Sequence, residues 1–262
     1  MSAACPVLVT FAPMVDSETS RLLLLHYAVD YEERDHLFGW ASIVALVHGG
    51  TGNIPLLYGD GARLTGPRAI AEHYDANLPE ERRLIPAPGT LRDEVEADWA
   101  SFNGGIGSWA AKFAYFHLLP RKDLLAPIFA EPVPAVESWL TPAVYGLLRK
   151  MFTTLLKLSP EGAAEAEASI RATYAATDKR VADGRRFLNG DRLTLADIGL
   201  AGASAPLLLP PNYGAKMPAL EAMPAPVAQL TRDLRATPTG AFVKRLYEDG
   251  FAAAAEKASA EA

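Results

Sequence analysis

Cysteine is almost missing from this chain: Cys5 is the one thiol among 262 residues. That excludes an intramolecular disulfide framework and any Cys-x-x-Cys redox pair, and it suits a reducing cytosol. Positive charge is also in short supply, with 25 Lys and Arg against 31 Asp and Glu. Lacking a basic footprint to neutralise a phosphate backbone, the chain is not expected to bind nucleic acid. Nothing approaches the roughly twenty consecutive apolar residues that a bilayer crossing needs, and no basic region precedes the short apolar stretch near the N-terminus. The expectation is a soluble, cytoplasmic protein without a membrane partner. His26, His36, His48, His73 and His117 show no metal-ligand spacing, and no Gly-x-Ser-x-Gly elbow is present, so neither a metal nor a serine-hydrolase nucleophile is expected. Gly105-Ile106-Gly107-Ser108-Trp109-Ala110 fits a dinucleotide-binding pattern on paper, but no strand precedes it and it interrupts a helical stripe.

What is present is apolar material, half of the chain, and enough length for two ordinary domains. Residues 5 to 76 read as a small alternating α/β unit. Val7 to Phe11 suits a short buried strand, Asp16 and Ser17 offer N-caps before a helix over Arg21 to Ala28, and Tyr31 to Leu37 suits a second strand. Phe38 to His48 reads as weakly helical or irregular and ends in a glycine-rich turn. Ile54 to Tyr58 and Ala62 to Thr65 then flank Asp60-Gly61, a pair favoured in hairpin turns because both residues tolerate positive φ. Gly66-Pro67 opens a helix through about Ala76, proline being suited to the first helical position.

Pro79, Pro86, Pro88 and Gly89 among charged residues mark 78–90 as a linker. Beyond it Leu91, Val95, Trp99, Phe102, Ile106, Trp109, Phe113 and Phe116 recur every three or four residues, the stripe of one very long helix or two stacked ones, kinked near Gly104, Gly105 and Gly107. A second helical stretch runs from Val144 to Leu156 and a third from about Glu161 to Asp183. Pro210-Pro211 breaks the chain, and a last helix from about Gly240 passes into an Ala/Glu-rich tail expected to fray.

The most specific segment is Phe187-Leu188-Asn189-Gly190-Asp191-Arg192-Leu193-Thr194-Leu195-Ala196-Asp197-Ile198. Thr194 and Asp197 have capping-box spacing, with Leu193 and Ile198 placed to close a hydrophobic staple over the cap. In length and order this segment resembles the capping motif in the C-terminal domain of glutathione transferases. The resemblance implies a thioredoxin-like α/β N-terminal domain over 1–77, a linker over 78–90 and an all-α domain over 91–262. It also implies a homodimer, and glutathione as substrate alongside a small apolar electrophile in a detoxification-type conjugation without a metal.

Thr51-Gly52-Asn53-Ile54-Pro55 resembles the family's Gly-x-Val-Pro element, in which a cis-proline leaves the preceding backbone free to pair with the cysteinyl part of glutathione. On residue grounds alone, Pro55 could instead begin an edge strand in the trans form. Ser17-Glu18-Thr19-Ser20-Arg21 resembles the Ser-Pro-x-Ser-Arg element of serine-type members, which implies Ser17 as the hydroxyl that stabilises the glutathione thiolate. With the positive end of a helix, such a donor favours thiolate by up to about 2 kcal/mol. An ordinary N-cap is the other role for Ser17. No tyrosine lies before Tyr27 and no cysteine near Ser17, which disfavours tyrosine- and cysteine-type chemistry.

Gly66 and Pro67 depart from the family, which has Glu or Gln followed by Ser at the γ-glutamyl end. Two charge-assisted hydrogen bonds vanish, roughly a hundredfold to ten-thousandfold in affinity, which leaves as the alternative a non-catalytic binding protein of the same fold for an apolar ligand or a protein partner. Arg68 could restore one pairing or serve a salt bridge. Trp40 and His48 lie where family members recruit side chains toward the glycyl carboxylate. Trp109, Phe113 and Tyr115 fall on the helix that lines the family's electrophile pocket, only Tyr115 lying outside the apolar stripe.

Overall fold

A computed structural model describes residues 5–59 and 61–250. Asp60 of the expected hairpin turn and the Ala/Glu-rich tail lie outside the described residues. β1 (Val7–Thr10) is buried along its whole length, runs parallel to β2 (Glu32–Asp35) and antiparallel to β3 (Leu56–Gly59), and β3 pairs with β4 (Ala62–Thr65), giving a four-stranded sheet in the order β2-β1-β3-β4. α1 (Val15–His26) follows β1, α2 (Trp40–Val47) follows β2 and α3 (Gly66–Asp75) follows β4. The 38–48 segment, read as weakly helical or irregular, is thus a regular helix at its centre. Ala41 and Ala45 supply its buried side, while Ile43, Leu46 and Val47 are exposed, so apolar residues lie on both sides and no amphipathic stripe is visible.

The helical region opens with α4 (Thr90–Trp99), passes through a π-helical stretch at Ala100–Ile106 and continues as α5 (Gly107–Leu118). The glycines expected to kink one long helix therefore sit in or beside a wider turn of it. α6 (Lys122–Ala130) follows, then α7 (Ala135–Leu155), α8 (Pro160–Val181), α9 (Leu195–Leu208), α10 (Ala225–Arg235) and α11 (Pro238–Arg245). Neither α6 nor α10 was marked by the sequence pattern. Among the described residues, no helix is long and apolar enough to cross a membrane. Cys5 is a free, exposed thiol.

Strand alternation divides the core in two. Leu8 and Leu57 face a cluster completed by α1, α3 and α9, whereas Val9 and Leu56 face one completed by α2, α6 and α7. Each cluster draws on both the α/β unit and the helical region, so the sheet is covered on both faces.

The segment before α9 is anchored through its cap, while Asn189 Oδ1 within it is buried without a hydrogen-bond partner among the described residues. The Thr194–Asp197 capping box forms, and the Asp197 carboxylate accepts from the Thr194 N–H at 2.9 Å, the Thr194 hydroxyl at 2.9 Å and the Leu188 N–H at 2.8 Å. Asp197 is completely buried, and burial pushes its carboxyl up to about 6 despite those donors. The Leu195 N–H donates to the Leu84 carbonyl at 2.9 Å, tying the cap to the linker. α9 then crosses α1 at close range: a Cβ at Gly202 would lie 2.2 Å from Thr19 Oγ1 and 3.0 Å from Thr19 Cα.

Candidate functional site

α1 meets α9 along its middle, but its first turn opens onto a cavity of about 420 Å³ between the α/β unit and the helical region. The wall is mostly carbon. Phe11 and Phe38 come from the sheet side, Ala111, Ala114 and Tyr115 from α5, Phe152 from α7, and Tyr213 and Met217 from the segment after α9. Phe152 stacks on Tyr115 at 4.6 Å between ring centroids, which holds the Tyr115 ring in the wall. Burial raises the Tyr115 hydroxyl well above the ordinary phenol range, so it stays protonated.

Polar atoms in the wall are few. Asp16, in the first turn of α1, accepts from the Asn103 amide at 3.2 Å, and burial raises its carboxyl above the usual carboxylate range, an effect the Asn103 amide partly offsets. Asn103 belongs to the π-helical stretch, where the sequence showed only a kink. That wider turn brings an amide to the cavity wall. Tyr213 follows the Pro210-Pro211 break and carried no sequence signal beyond that punctuation.

Ser17 is not in this wall. α1 begins at Val15 with Met14 at its cap, so Ser17 lies inside the helix and is not its N-cap. Its side chain is completely buried and its hydroxyl donates to the Phe11 carbonyl at 3.0 Å. A proton committed to a carbonyl in the core is not available to a thiol in the cavity. The helix starts two residues before Ser17, and that offset rotates the cavity-facing position to Asp16.

The residues expected to hold glutathione are also differently employed. Arg68 forms a bidentate ion pair with Glu96 on α4, at 2.5 and 2.8 Å, and donates to Glu72 at 2.7 Å. It bridges the α/β unit to the helical region and serves this salt-bridge role, not an open carboxylate site. The Gly66 N–H donates to the Pro55 carbonyl at 2.9 Å, and Pro67 has no N–H to offer. Trp40, at the start of α2, is half exposed and lies outside the cavity wall; His48 caps the end of the same helix and stacks on Tyr58 at 4.2 Å. The Ile54–Pro55 peptide is cis, with Ile54 buried and Asn53 exposed.

Of the three residues expected in the electrophile pocket, Tyr115 lines the cavity. Phe113 is buried in the core shared with α9, and Trp109 packs partly buried against that same core, with the Lys112 ammonium 5.3 Å from its ring centre. Both belong to the apolar stripe, and the stripe faces the core while the cavity lies on the adjacent side of α5.

A mixed four-stranded sheet carrying α1, α2 and α3, followed by a helical region with a capped buried helix, is the glutathione transferase architecture. Solved structures share it over nearly the whole chain. A glutathione S-transferase of Methylobacillus flagellatus, with glutathione bound, is similar over 95% of this chain and 98% of its own, with a TM-score of 0.59 and 16% identity. One from Rhodospirillum rubrum is similar over 92% and 90%, with a TM-score of 0.54 and 20% identity. The beta-etherase LigF of Sphingobium is similar over 93% and 98%, with a TM-score of 0.54 and 17% identity. No family model and no curated protein matches the sequence. At such identities the likeness is one of fold, and the site must be argued from its own residues.

Proposed function

We propose that this is a glutathione-transferase-like protein whose working site is the cavity at the first turn of α1, and that the cavity binds a small, mainly apolar molecule. The observation that supports this reading is the wall itself, aromatic and aliphatic on all sides, with Asp16 as its one charged side chain among the described residues. Burying about 200 Å² of a ligand's apolar surface there contributes roughly 5 kcal/mol before the costs of association. Ala111→Trp places an indole in the cavity and tests the reading. A neutral naphthalene dye should bind the parent and lose at least tenfold in affinity to the variant, with the melting temperature little changed. Equal dye binding by both proteins would place the ligand elsewhere.

A second reading is that the cavity's occupant is an electrophile and glutathione its co-substrate, in a cytoplasmic homodimer. The neighbour with glutathione bound favours it, as does the α1 N-terminus, whose partial positive charge contributes about 0.3–1 kcal/mol to a nearby thiolate. Asn53, Ile54 and Pro55 would take the cysteinyl backbone. Against it stand the sealed Ser17, the engaged Arg68, and Asp16, a carboxyl group that opposes a thiolate at the same turn whenever it is ionised. Calorimetric titration with glutathione, together with conjugation of an aryl halide, separates the two. Heat and turnover would establish the enzyme; neither, beside intact dye binding, would leave the ligand-binding protein.

A further inference from the structure

Among the described residues, Asp16 is the one charged side chain of the cavity wall, and no cation is paired with it. Other carboxylates shielded from water have close partners. Glu18 takes the Arg21 guanidinium at 3.1 Å, Asp98 takes Arg180 at 2.6 and 2.7 Å, and Asp75 accepts from the N–H groups of Leu84 and Ile85 at 3.0 and 2.8 Å. Asp16 has one neutral donor, the Asn103 amide at 3.2 Å, on one of its oxygens. The second oxygen has no partner among the described residues, yet it is not sealed in the interior as the unpaired Ser20 and Ser204 hydroxyls are, and the residue is only half-buried. A position in the first turn of α1 suits a carboxylate, but it supplies no counter-ion.

The bond to Asn103 fixes the carboxylate at the wall. Asn103 lines the cavity as well, and its side-chain carbonyl accepts from the Thr19 hydroxyl at 3.4 Å, which turns its amide N–H toward Asp16. The rest of the wall favours the same sign of ligand. Phe11, Phe38, Phe152 and Tyr115 meet ring to ring, with centroids 5.6, 5.0 and 4.6 Å apart in that order. Aromatic π-clouds attract cations and repel anions. No Lys or Arg lines the cavity among the described residues, so an anion finds nothing there to neutralise it.

Resting on the cavity reading above, we infer that the bound molecule is an organic cation, an amine or quaternary ammonium on an apolar body, with Asp16 holding its charge and the aromatic wall taking the rest. Burial raises the Asp16 carboxyl above the usual carboxylate range, and a cation beside it draws it back, so ligand and ionised carboxylate stabilise each other. The chain's net charge of -6 favours the approach of such a ligand.

The test compares (2-naphthylmethyl)trimethylammonium, its uncharged carbon isostere 2-neopentylnaphthalene, and anionic 2-naphthoate, titrated against the full chain, Asp16→Asn and Ala111→Trp. The parent should bind the cation at least about tenfold tighter than the isostere, and naphthoate weakest of the three. Asp16→Asn, nearly equal in shape, should cut the preference for the cation by about tenfold, with melting temperature and isostere binding reporting that the variant is folded. Ala111→Trp should weaken cation and isostere alike. Equal binding of the two by the parent, a preference that Asp16→Asn keeps, or naphthoate binding best would overturn the anchor, leaving Asp16 as a stabiliser of the helix start while the cavity reading stands. Binding of none of the three, or binding that Ala111→Trp does not disturb, would remove both.

Discussion

The two ends of the story of α1 differ sharply. Along its middle, α1 lies against α9 at a distance only glycine permits, and Thr19, Ser17 and Glu18 are turned into the interior. At its first turn the same helix faces an apolar cavity with Asp16, Met14 and Val15 in the wall. One helical turn separates a packed core from a site. A residue two positions further along from the true helix start therefore changes from a reagent into a structural group, which is what happened to Ser17.

The comparison can be strained hardest at the tight crossing. Gly202→Ala forces a methyl to within 2.2 Å of the Thr19 hydroxyl and 3.0 Å of its Cα, so α1 and α9 must separate. Overpacking of this kind should cost roughly 3 kcal/mol or more in chemical denaturation. A loss under about 1 kcal/mol would mean that α1 and α9 can separate at Gly202 and Thr19 at little cost.

Nearly as large is the pH dependence of the cap at the start of α9. The Asp197 carboxyl is raised to about 6 from an ordinary 3.8, so the folded state holds its proton more tightly than the unfolded chain does. Stability from this residue is then greatest below about pH 4 and declines as the pH rises through about 6, by about 3 kcal/mol in all. Asp197→Asn lowers stability throughout, because its amide must face an N–H donor, but it removes this slope. Denaturation midpoints of parent and variant at pH 4 and 7 give the difference directly. Parallel curves would show that the three donors hold the carboxyl near its ordinary value.

The smallest effect sharpens the contrast most. Ser17→Ala removes one hydroxyl that donates to the Phe11 carbonyl in the core, which costs about 1 kcal/mol of stability. Dye binding, and any glutathione conjugation the parent shows, should stay within twofold. A fall of tenfold or more in conjugation, without a matching loss of fold, would restore Ser17 to the chemistry and overturn its placement off the cavity.

Local signals located most of the architecture. The capping box at Thr194 and Asp197, the proline at the start of α3 and the glycines of the bent α4–α5 stretch each act through neighbouring backbone, so a reader of the chain can find them. α6 was invisible because its short apolar content, interrupted by Pro127, shows no stripe. The site was legible only in part. Tyr115 stood out by lying off the stripe, whereas Tyr213 and Asn103 reach the cavity through a loop and a π-helical turn that no spacing announces.

What the order of residues settled alone is therefore the class of fold: an apolar first strand, a helical stripe and a self-contained cap specify an α/β unit and a helical region, since each depends on contacts within a few positions. What the tertiary structure decided is which side chains face the cavity. That depends on where α1 begins, how closely Gly202 lets α9 approach it, and whether Arg68 finds Glu96 across the domain seam, and these are contacts between segments 28 to more than 180 residues apart.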